Sequence, residues 1–325
     1  SIFSPMKAAI HTRYGPPEVV QIKDIPQPVP KAHEVLIKVH VATVNRTDCG
    51  FRSAQYFVSR FFSGLFRPKR KTLGCEFAGE IVEVGSAVKK YAPGDRVFGF
   101  NDALFGGHAE YMVLPETAGL GIIPEGWTYA EAAPLLEGSH YAWSDIKAAN
   151  VQSGQRVMVY GATGAIGSAA IQILKHLNAE VTAVCGTAHV ETIRNMGVEV
   201  VDYQTSDFTD TPLRYDFIFD AVGKASFGKC KPLLSEKGIY ISTELGKRAE
   251  NIWYAITTSR SASKRVLFPL PTLSEDDVAF IRSLAVNGEF QPLIDRTYKL
   301  DEIVEAYRYV ESGQKVGNVL LLIIP

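Results

Sequence analysis

A run of small residues near the middle of the chain carries the clearest chemical signal. Arg156–Tyr160 is apolar enough for a buried strand, and an apolar-faced helix is expected from Ala165 onward. Gly164 lets backbone amides approach a pyrophosphate at the helix N-terminus, and Gly167 lets the helix pack closely on the sheet. The run therefore predicts a dinucleotide site, although Ala162 stands where the usual fingerprint has glycine and a plain tight turn is the alternative. The predicted site consists of Gly161, Ala162, Thr163, Gly164, Ala165, Ile166 and Gly167.

A missing acid beyond this run bears on the choice of cofactor. In NAD-specific sites an Asp or Glu roughly 20 residues further on binds the adenosine ribose, and its charge would repel a 2′-phosphate. The corresponding stretch, residues 183–187, holds no acid. The sequence thus predicts NADPH rather than NADH. Four side chains are candidate phosphate donors, of which Arg194 is equally well explained as a solvated helix residue: Thr187, His189, Arg194 and Tyr203.

Four further stretches agree with the glycine-rich run. They are Tyr14-Gly15 with Pro17-Glu18-Val19, Val44-Asn45-Arg46-Thr47-Asp48, Gly74-Cys75-Glu76-Phe77-Ala78-Gly79, and Gly94-Asp95-Arg96-Val97. In this order they resemble the medium-chain dehydrogenase/reductase superfamily, and within it the zinc-free quinone oxidoreductase-like branch. The resemblance implies an α/β fold with two domains. A β-rich GroES-like catalytic domain would span 1–124 and 269–325, and a Rossmann domain with a doubly wound parallel sheet would span 125–268.

The resemblance also implies an activity and its residues. The protein would deliver hydride from NADPH to a quinone or an α,β-unsaturated carbonyl, with Asn45, Asp48 and Ser139 around the nicotinamide. Tyr56 could donate a proton or hydrogen bond to the carbonyl oxygen, or simply pack among the aromatic residues near it. His140 could be an acid, or a structural residue at a helix start. Thr187 and Tyr203 match phosphate-binding positions, and Val222 and Gly223 join the expected cofactor site.

Zinc ligands of the wider superfamily are replaced in this chain. Members that use catalytic zinc have Cys at the position of Asn45, His at that of Cys75, and a third Cys near Leu135. Asparagine is a poor zinc ligand and leucine is none, so no metal site is expected. Two other functions stay open: an alcohol dehydrogenase of the same superfamily, and a non-catalytic protein that binds NADPH and an RNA or protein partner.

Two different patterns of secondary structure are expected in the regions that position these residues. Up to about Pro124, short Val- and Ile-rich runs alternate with Gly and Pro, which predicts a mainly β region. Beyond it, strands alternate with helices, which is typical of a parallel sheet covered on both faces. Residues 51–71, rich in aromatic and then basic side chains, interrupt the first region as a long loop or short helix. The basic residues of this segment could attract an anionic substrate tail, or be a solvated loop.

Composition limits the class of protein and its partners. The 325 residues are 46% hydrophobic and 21% charged, which is ordinary for a folded protein of about two domains. A net charge of -1 provides no global field for nucleic acid or an anionic membrane, so neither is expected as a partner. Four widely spaced cysteines and no long apolar run favour a reducing cytoplasm. A homodimer is expected, because the family pairs its last Rossmann strand, here around residues 264–268, and an apolar edge strand needs cover.

Overall fold

The computed structural model describes residues 4–261 and 263–324. The chain divides into two compact units. The first comprises Ser1–Leu136, Ser274–Val286 and Ile294–Pro325, and the second comprises Glu137–Leu273 and Asn287–Leu293. The domain limits expected from the sequence stay a prediction. No helix in residues 4–261 and 263–324 combines the length and the apolar character that crossing a membrane requires.

The described residues form strands and helices that are numbered here in chain order. The strands are β1 (Pro5–Ile10), β2 (Gln21–Pro26), β3 (Glu34–Val44), β4 (Glu76–Val84), β5 (Arg96–Phe100), β6 (Tyr111–Pro115), β7 (Gly119–Ile122), β8 (Arg156–Tyr160), β9 (Glu180–Cys185), β10 (Glu199–Asp202), β11 (Tyr215–Asp220), β12 (Leu234–Ser242), β13 (Arg265–Leu267), β14 (Ile294–Lys299) and β15 (Asn318–Leu322). The α-helices are α1 (Arg46–Ser53), α2 (Arg60–Ser63), α3 (Tyr129–Ala132), α4 (Glu137–Ala149), α5 (Ala165–His176), α6 (Val190–Arg194), α7 (Phe227–Cys230), α8 (Glu250–Thr258), α9 (Glu275–Val286) and α10 (Ile303–Glu311).

The first unit is built on a seven-stranded sheet with β3 at its centre. The strand order is β14-β15-β3-β4-β5-β7, and β6 also pairs with β3. Val35, Ile37 and Val39 of β3 are fully buried, and Tyr307 and Val310 of α10 belong to the same core. The pairing of Ala42 with Phe77 sets the end of β3 beside the start of β4. This arrangement positions the residues that follow β3 next to those that precede β4.

The second unit contains a six-stranded sheet in which every pairing is parallel. Its order, β10-β9-β8-β11-β12-β13, runs outward in both directions from β8. This is the doubly wound Rossmann order, which binds ligands at the carboxyl ends of the strands where the order reverses. The central residues of β8 are buried, as a strand covered on both faces requires. The predicted fold class is thereby confirmed.

Local differences from the sequence prediction are concentrated in short elements. β7 and β14 lack the usual sequence signal of a strand, since β7 is glycine-rich and β14 carries exposed polar residues with no apolar run. Residues 215–222 are rich enough in apolar side chains to predict one strand, but β11 ends at Asp220, because that carboxylate binds the following backbone amides. Residues 51–71 contain the end of α1 and the short helix α2, consistent with the expectation of a loop or short helix.

Candidate functional site

A buried polar cluster starts at the first turn of α1 in the first unit. The Asn45 side chain accepts a hydrogen bond from the backbone N–H of Asp48 at 3.0 Å, and the Asp48 carboxylate accepts one from the N–H of Asn45 at 3.2 Å. This reciprocal capping box satisfies two amides that the helix leaves without partners. Asn45 is 4% exposed and Asp48 is fully buried. The structure brings these two predicted catalytic residues together as the cap of α1.

Asp48 also links the helix to the segment before β4. Its Oδ1 atom accepts the backbone N–H groups of Gly74 and Cys75, each at 3.1 Å. His108 Nε2 lies 3.8 Å from Asp48 Oδ2 and donates to the carbonyl oxygen of Thr43 at 2.8 Å. Burial raises the pKa of Asp48 above its usual range, although His108 and the amide donors act in the opposite direction. Asp48 therefore holds together three chain segments.

A second set of contacts runs from Asn45 to Glu76. Asn45 Nδ2 donates to Thr43 Oγ1 at 3.3 Å and to Cys75 Sγ at 3.2 Å. Thr43 Oγ1 donates to Glu76 Oε1 at 2.8 Å, and Glu76 Oε2 accepts the N–H of Leu136 at 2.9 Å. Both amide protons of the Asn45 side chain are consequently used inside the first unit.

The remaining predicted catalytic residues lie elsewhere. Tyr56 is 48% exposed on the segment that follows α1. Ser139 and His140 are buried in the first turn of α4, in the second unit. A methyl group on Gly138 would lie 2.5 Å from the carbonyl oxygen of Ala165, so α4 passes close to the start of α5. Ser139 thus neighbours the glycine-rich turn, and the roles of all three residues stay predictions.

The glycine-rich turn has the geometry of a pyrophosphate cradle. Gly161 has φ +79°, and a Cβ there would lie 2.6 Å from the Val222 side chain. A Cβ on Gly167 would lie 2.1 Å from the carbonyl oxygen of Gly161, so this position accepts only glycine without a backbone shift. Gly164 caps the 12-residue helix α5 and, having no side chain, accepts no hydrogen bond from the amides of its first turn. These amides are the groups that can hold an anion.

The loop after β11 is shaped by a buried carboxylate that the sequence analysis did not single out. Asp220 accepts the N–H groups of Val222 at 3.2 Å, Gly223 at 2.8 Å and Ala225 at 2.7 Å. Burial raises the pKa of Asp220, while those amides lower it. Since the Val222 side chain packs on Gly161, Asp220 fixes the conformation of the loop that contacts the glycine-rich turn. The sequence signal for Asp220 was an acidic residue at the end of the mainly apolar run that forms β11.

The predicted phosphate donors meet at the carboxyl ends of β9 and β10. The Thr187 hydroxyl donates to Asp202 Oδ2 at 2.6 Å, and its N–H donates to Gln204 Oε1 at 2.8 Å. A Cβ on Gly186 would lie 3.5 Å from the Tyr203 hydroxyl, so Tyr203 is close to the same loop. The hydrogen bond from Thr187 lowers the pKa of Asp202. Asp202, at the end of β10, thus provides a carboxylate at this site, although residues 183–187 contain none.

Two further predicted donors lie on or beside α6. Arg194 is exposed and pairs with Glu191 on the same helix, one turn earlier. His189 is half-buried at the start of α6, and its backbone N–H donates to the carbonyl oxygen of Gly186 at 3.0 Å. Arg194 therefore already has a partner for its charge, whereas Thr187 and Tyr203 lie beside the loop after β9.

Comparisons with known proteins agree with this arrangement. The family model described as "Alcohol dehydrogenase GroES-like domain" matches residues 31–125, and the one described as "Zinc-binding dehydrogenase" matches residues 196–321. The quinone oxidoreductase of Homo sapiens is 28% identical, with 98% of each chain covered. The solved structure of the quinone oxidoreductase from Coxiella burnetii superposes with a TM-score of 0.87 at 25% identity, covering 99% of this chain and 100% of that chain. The chain is similar over nearly its whole length to members of the medium-chain dehydrogenase/reductase superfamily, and these matches support its place in the quinone oxidoreductase-like branch. It is an oxidoreductase of a family that binds a nicotinamide cofactor, which the turn at Gly161–Gly167 fits.

Zinc, which one of the two family descriptions implies, does not fit the side chains present. Asn45 uses its carbonyl oxygen and its amide group within the helix cap and toward Thr43 and Cys75. Leu135 is fully buried and has no donor atom. Within residues 4–261 and 263–324, no group of three His, Cys, Asp or Glu side chains could hold a metal ion. The donor set at this position is that of a capped helix, not of a metal centre.

Sequence reasoning missed three buried residues of these two clusters. Glu76 is named only within one of the stretches that carry the resemblance, and His108 is assigned no role from the sequence. Both have no exposed surface, as does Asp220. An Asp, Glu or His within a segment that is expected to be buried is a usable signal of such a cluster, because these groups are rarely buried unless they are hydrogen-bonded.

Proposed function

We propose that the protein is a reductase that uses NADPH and passes hydride to a quinone or an α,β-unsaturated carbonyl without zinc. The observation that carries this proposal is the joint presence of an intact pyrophosphate turn and a helix cap where zinc ligands would stand. Relatives support the substrate class: 2-methylene-furan-3-one reductase of Solanum lycopersicum is 28% identical over all of this chain and 81% of its own length. The NADPH-dependent alkenal/one oxidoreductase of Arabidopsis thaliana is 27% identical over the same shares.

Bound NADPH would supply the hydride. The first-turn amides of α5 would hold its pyrophosphate, and Val222 and Gly223 line the turn from the side of β11. Thr187 and Tyr203 would bind the 2′-phosphate, and the Thr187 hydroxyl, which now donates to Asp202, would then donate to the phosphate instead. The Thr187 contact would replace an existing hydrogen bond to a charged group, so only the Tyr203 contact would add binding energy. At about 1.5–3 kcal/mol, it would give a preference for NADPH of roughly ten- to a hundredfold before repulsion from Asp202 is subtracted.

Side chains of the chain would assist the acceptor. The half-exposed Tyr56 donates a hydrogen bond to the carbonyl oxygen that gains charge, and Ser139 orients the cofactor beside the turn. Asn45 and Asp48 are positioning residues, because they fix the start of α1 and hence the segment that bears Tyr56. A conjugated acceptor needs only such hydrogen bonds, whereas oxidation of an alcohol profits from a Lewis acid that lowers the hydroxyl pKa.

A steady-state screen tests this function. Purified protein is mixed with NADPH and a panel of quinones, enones and simple alcohols, and the loss of NADPH absorbance is followed before and after dialysis against a chelator. We expect turnover with quinones or enones that is unchanged by chelation. Turnover restricted to alcohol and aldehyde pairs, or activity lost to chelator and restored by zinc, would contradict the proposal. Binding of NADPH without its oxidation by any acceptor of the panel would favour a non-catalytic role.

We also propose that the protein is a homodimer formed through the edge of the second unit. β13 ends its sheet, and helix α8, which packs on β13, exposes Trp253 and Ile256 by 63% and 64%. Apolar side chains three residues apart lie on one helix face, so the two form an uncovered patch beside an unpaired strand edge. Light scattering should give twice the 35.7 kDa mass of one chain. A mass of one chain at micromolar concentration would refute the dimer.

A further inference from the structure

An unusually apolar segment lies on the surface of the first unit between α1 and β4. Within residues 56–66, five side chains are each exposed by more than 60%, a degree that leaves most of their area in water. They are Phe57 at 62%, Val58 at 66%, Phe61 at 65%, Phe62 at 80% and Phe66 at 86%. Contiguous exposed apolar patches on soluble proteins mark sites of interaction. This segment, residues 56–71, is called the aromatic-basic segment below.

Defined contacts hold the aromatic-basic segment in this conformation. The Tyr14 hydroxyl donates to the carbonyl oxygen of Gly64 at 2.7 Å, and the Arg60 guanidinium stacks on the Tyr14 ring at 4.8 Å. Gly64 has φ +123°, and a Cβ there would lie 2.0 Å from the carbonyl oxygen of Arg67. Only glycine permits this turn. The exposed phenylalanines are therefore presented by a built turn that is tied to the rest of the unit.

Positive charge follows directly after the aromatic residues. Arg67, Lys69, Arg70 and Lys71 are all exposed, and no acidic residue occurs between Asp48, which is buried, and Glu76, which is also buried. A cavity of ≈ 530 Å³ is lined by Lys23 together with Lys69, Arg70 and Lys71. The backbone N–H of His11 and its Nδ1 atom both contact the carbonyl oxygen of Lys71, each at 2.9 Å, and anchor this end of the segment. A local cationic surface thus exists although the whole chain has a net charge of -1.

We infer that the aromatic-basic segment docks the protein on a membrane surface rich in anionic phospholipid. Basic residues beside exposed aromatic ones are the composition of interfacial membrane segments, in which rings enter the headgroup boundary and cations bind lipid phosphates. The cavity at Lys23 and Lys69–Lys71 is the site for a phosphate headgroup. Aromatic residues and arginine are also enriched at protein interfaces, but lysine is depleted there, so Lys69 and Lys71 favour the membrane over a protein partner.

Vesicle co-sedimentation tests this inference with the full chain. Binding is measured to vesicles of phosphatidylcholine alone and of phosphatidylcholine mixed with phosphatidylglycerol, at low and at high salt. We expect binding to the mixed vesicles only, weakened by salt, because the attraction falls off within a Debye length. Equal binding to both vesicle types, or binding to neither, overturns the inference. The readout is partition and not turnover, so its failure is distinct from failure of the proposed reductase activity.

Paired variants locate the surface. Arg70→Gln with Lys71→Gln should lower the partition coefficient about thirtyfold, since each cation near the surface contributes about 1 kcal/mol. Phe62→Ser with Phe66→Ser should lower it at least about tenfold through lost apolar burial. The matched controls are Lys31→Gln with Lys237→Gln, and Val29→Ser with Val286→Ser, all exposed positions outside the segment. Unchanged binding of either test variant, or equal loss in its control, overturns the inference.

Self-association through the same phenylalanines is a separate outcome. Sedimentation velocity of the wild type and of the Phe62→Ser, Phe66→Ser variant distinguishes it. A dimer that the variant loses, together with no binding to mixed vesicles, would assign the segment to a second copy of the chain and overturn the membrane proposal.

Discussion

Replacing Gly164 by alanine separates cofactor binding from folding. The backbone of Gly164 has φ -69° and ψ 168°, which alanine adopts freely. A Cβ there would lie 3.7 Å from the carbonyl oxygen of Gly161 and 4.0 Å from the Val222 side chain, both ordinary contacts. The methyl group would nevertheless occupy space in front of the α5 amides, where the pyrophosphate is expected. Gly164→Ala should therefore leave the apo protein intact and weaken its binding of NADPH.

The expected magnitudes follow from these contacts. Alanine reduces the entropy of the unfolded chain, which stabilises by about 0.4–1 kcal/mol, but it is a poorer helix N-cap than glycine by a similar amount. The free energy of unfolding should change by less than about 1 kcal/mol. Loss of one hydrogen bond to the charged pyrophosphate costs about 1.5–3 kcal/mol, which is roughly a ten- to hundredfold increase in Kd for NADPH.

Two other glycines of the same unit provide comparison variants. Gly167→Ala would place its methyl group 2.1 Å from the Gly161 carbonyl oxygen, so the turn must move and stability should fall by about 1–3 kcal/mol. Gly228 lies in α7 with open space around its Cβ position, so Gly228→Ala should stabilise by about 0.5–1 kcal/mol and leave binding unchanged.

Calorimetric titration with NADPH and urea unfolding of the apo protein measure the two effects separately. The reasoning requires weak binding with normal stability for Gly164→Ala, and low stability for Gly167→Ala. A Gly164→Ala variant that binds NADPH as tightly as the wild type would refute the assignment of the α5 N-terminus as the pyrophosphate site. A large loss of its apo stability would show that the local geometry had been misread.

Three more predictions concern charges and metal. Asp202→Asn should raise the preference for NADPH over NADH about fivefold in kcat/KM, since removal of a like charge beside the phosphate is worth roughly 1 kcal/mol in water; an unchanged ratio would place Asp202 away from the phosphate. Burial raises the pKa of Asp145 to about 8, so the folded state holds a proton that the unfolded chain releases near pH 4. Stability should then fall by about 1.4 kcal/mol per pH unit between these values, and urea midpoints at pH 6 and pH 8 should differ less for Asp145→Asn than for the wild type. Elemental analysis after chelator dialysis should find zinc below one atom per chain with activity retained, and stoichiometric zinc would contradict the proposed zinc-free mechanism.

The Rossmann half was readable from sequence because its signals are local. The apolar run of β8 and the glycines at 161, 164 and 167 lie within a dozen residues, and close contacts restrict positions 161 and 167 to glycine. The structure agrees with that prediction and adds the reason: Gly167 packs against the backbone of Gly161.

Long-range partners were not readable in the same way. Asp202 reaches Thr187 from the neighbouring strand, 15 residues away in sequence, so a search of residues 183–187 found no acid. His108 reaches Thr43 across 65 residues. Such contacts depend on which strands pair, and strand order is a property of the fold rather than of any short pattern.

The net charge of the chain does not describe the local charge of its surface. The net charge of -1 argued against a membrane partner, yet it averages over residues that are far apart in space. Arg70 and Lys71 lie together beside exposed phenylalanines with no acid on the same segment. A surface that attracts anions depends on such local clustering, since salt screens charges beyond about 8–10 Å.

Transfer of deuterium from NADPH labelled at C4 of the nicotinamide to an open-chain enone tests the proposed reductase function most directly. Hydride addition to a conjugated acceptor forms the new C–H bond at the β-carbon, and solvent supplies the proton at the α-carbon. The account predicts a saturated ketone with one deuterium at the β-carbon, formed equally well after chelation. An allylic alcohol with deuterium at the carbonyl carbon would contradict it, because that product belongs to alcohol dehydrogenase chemistry.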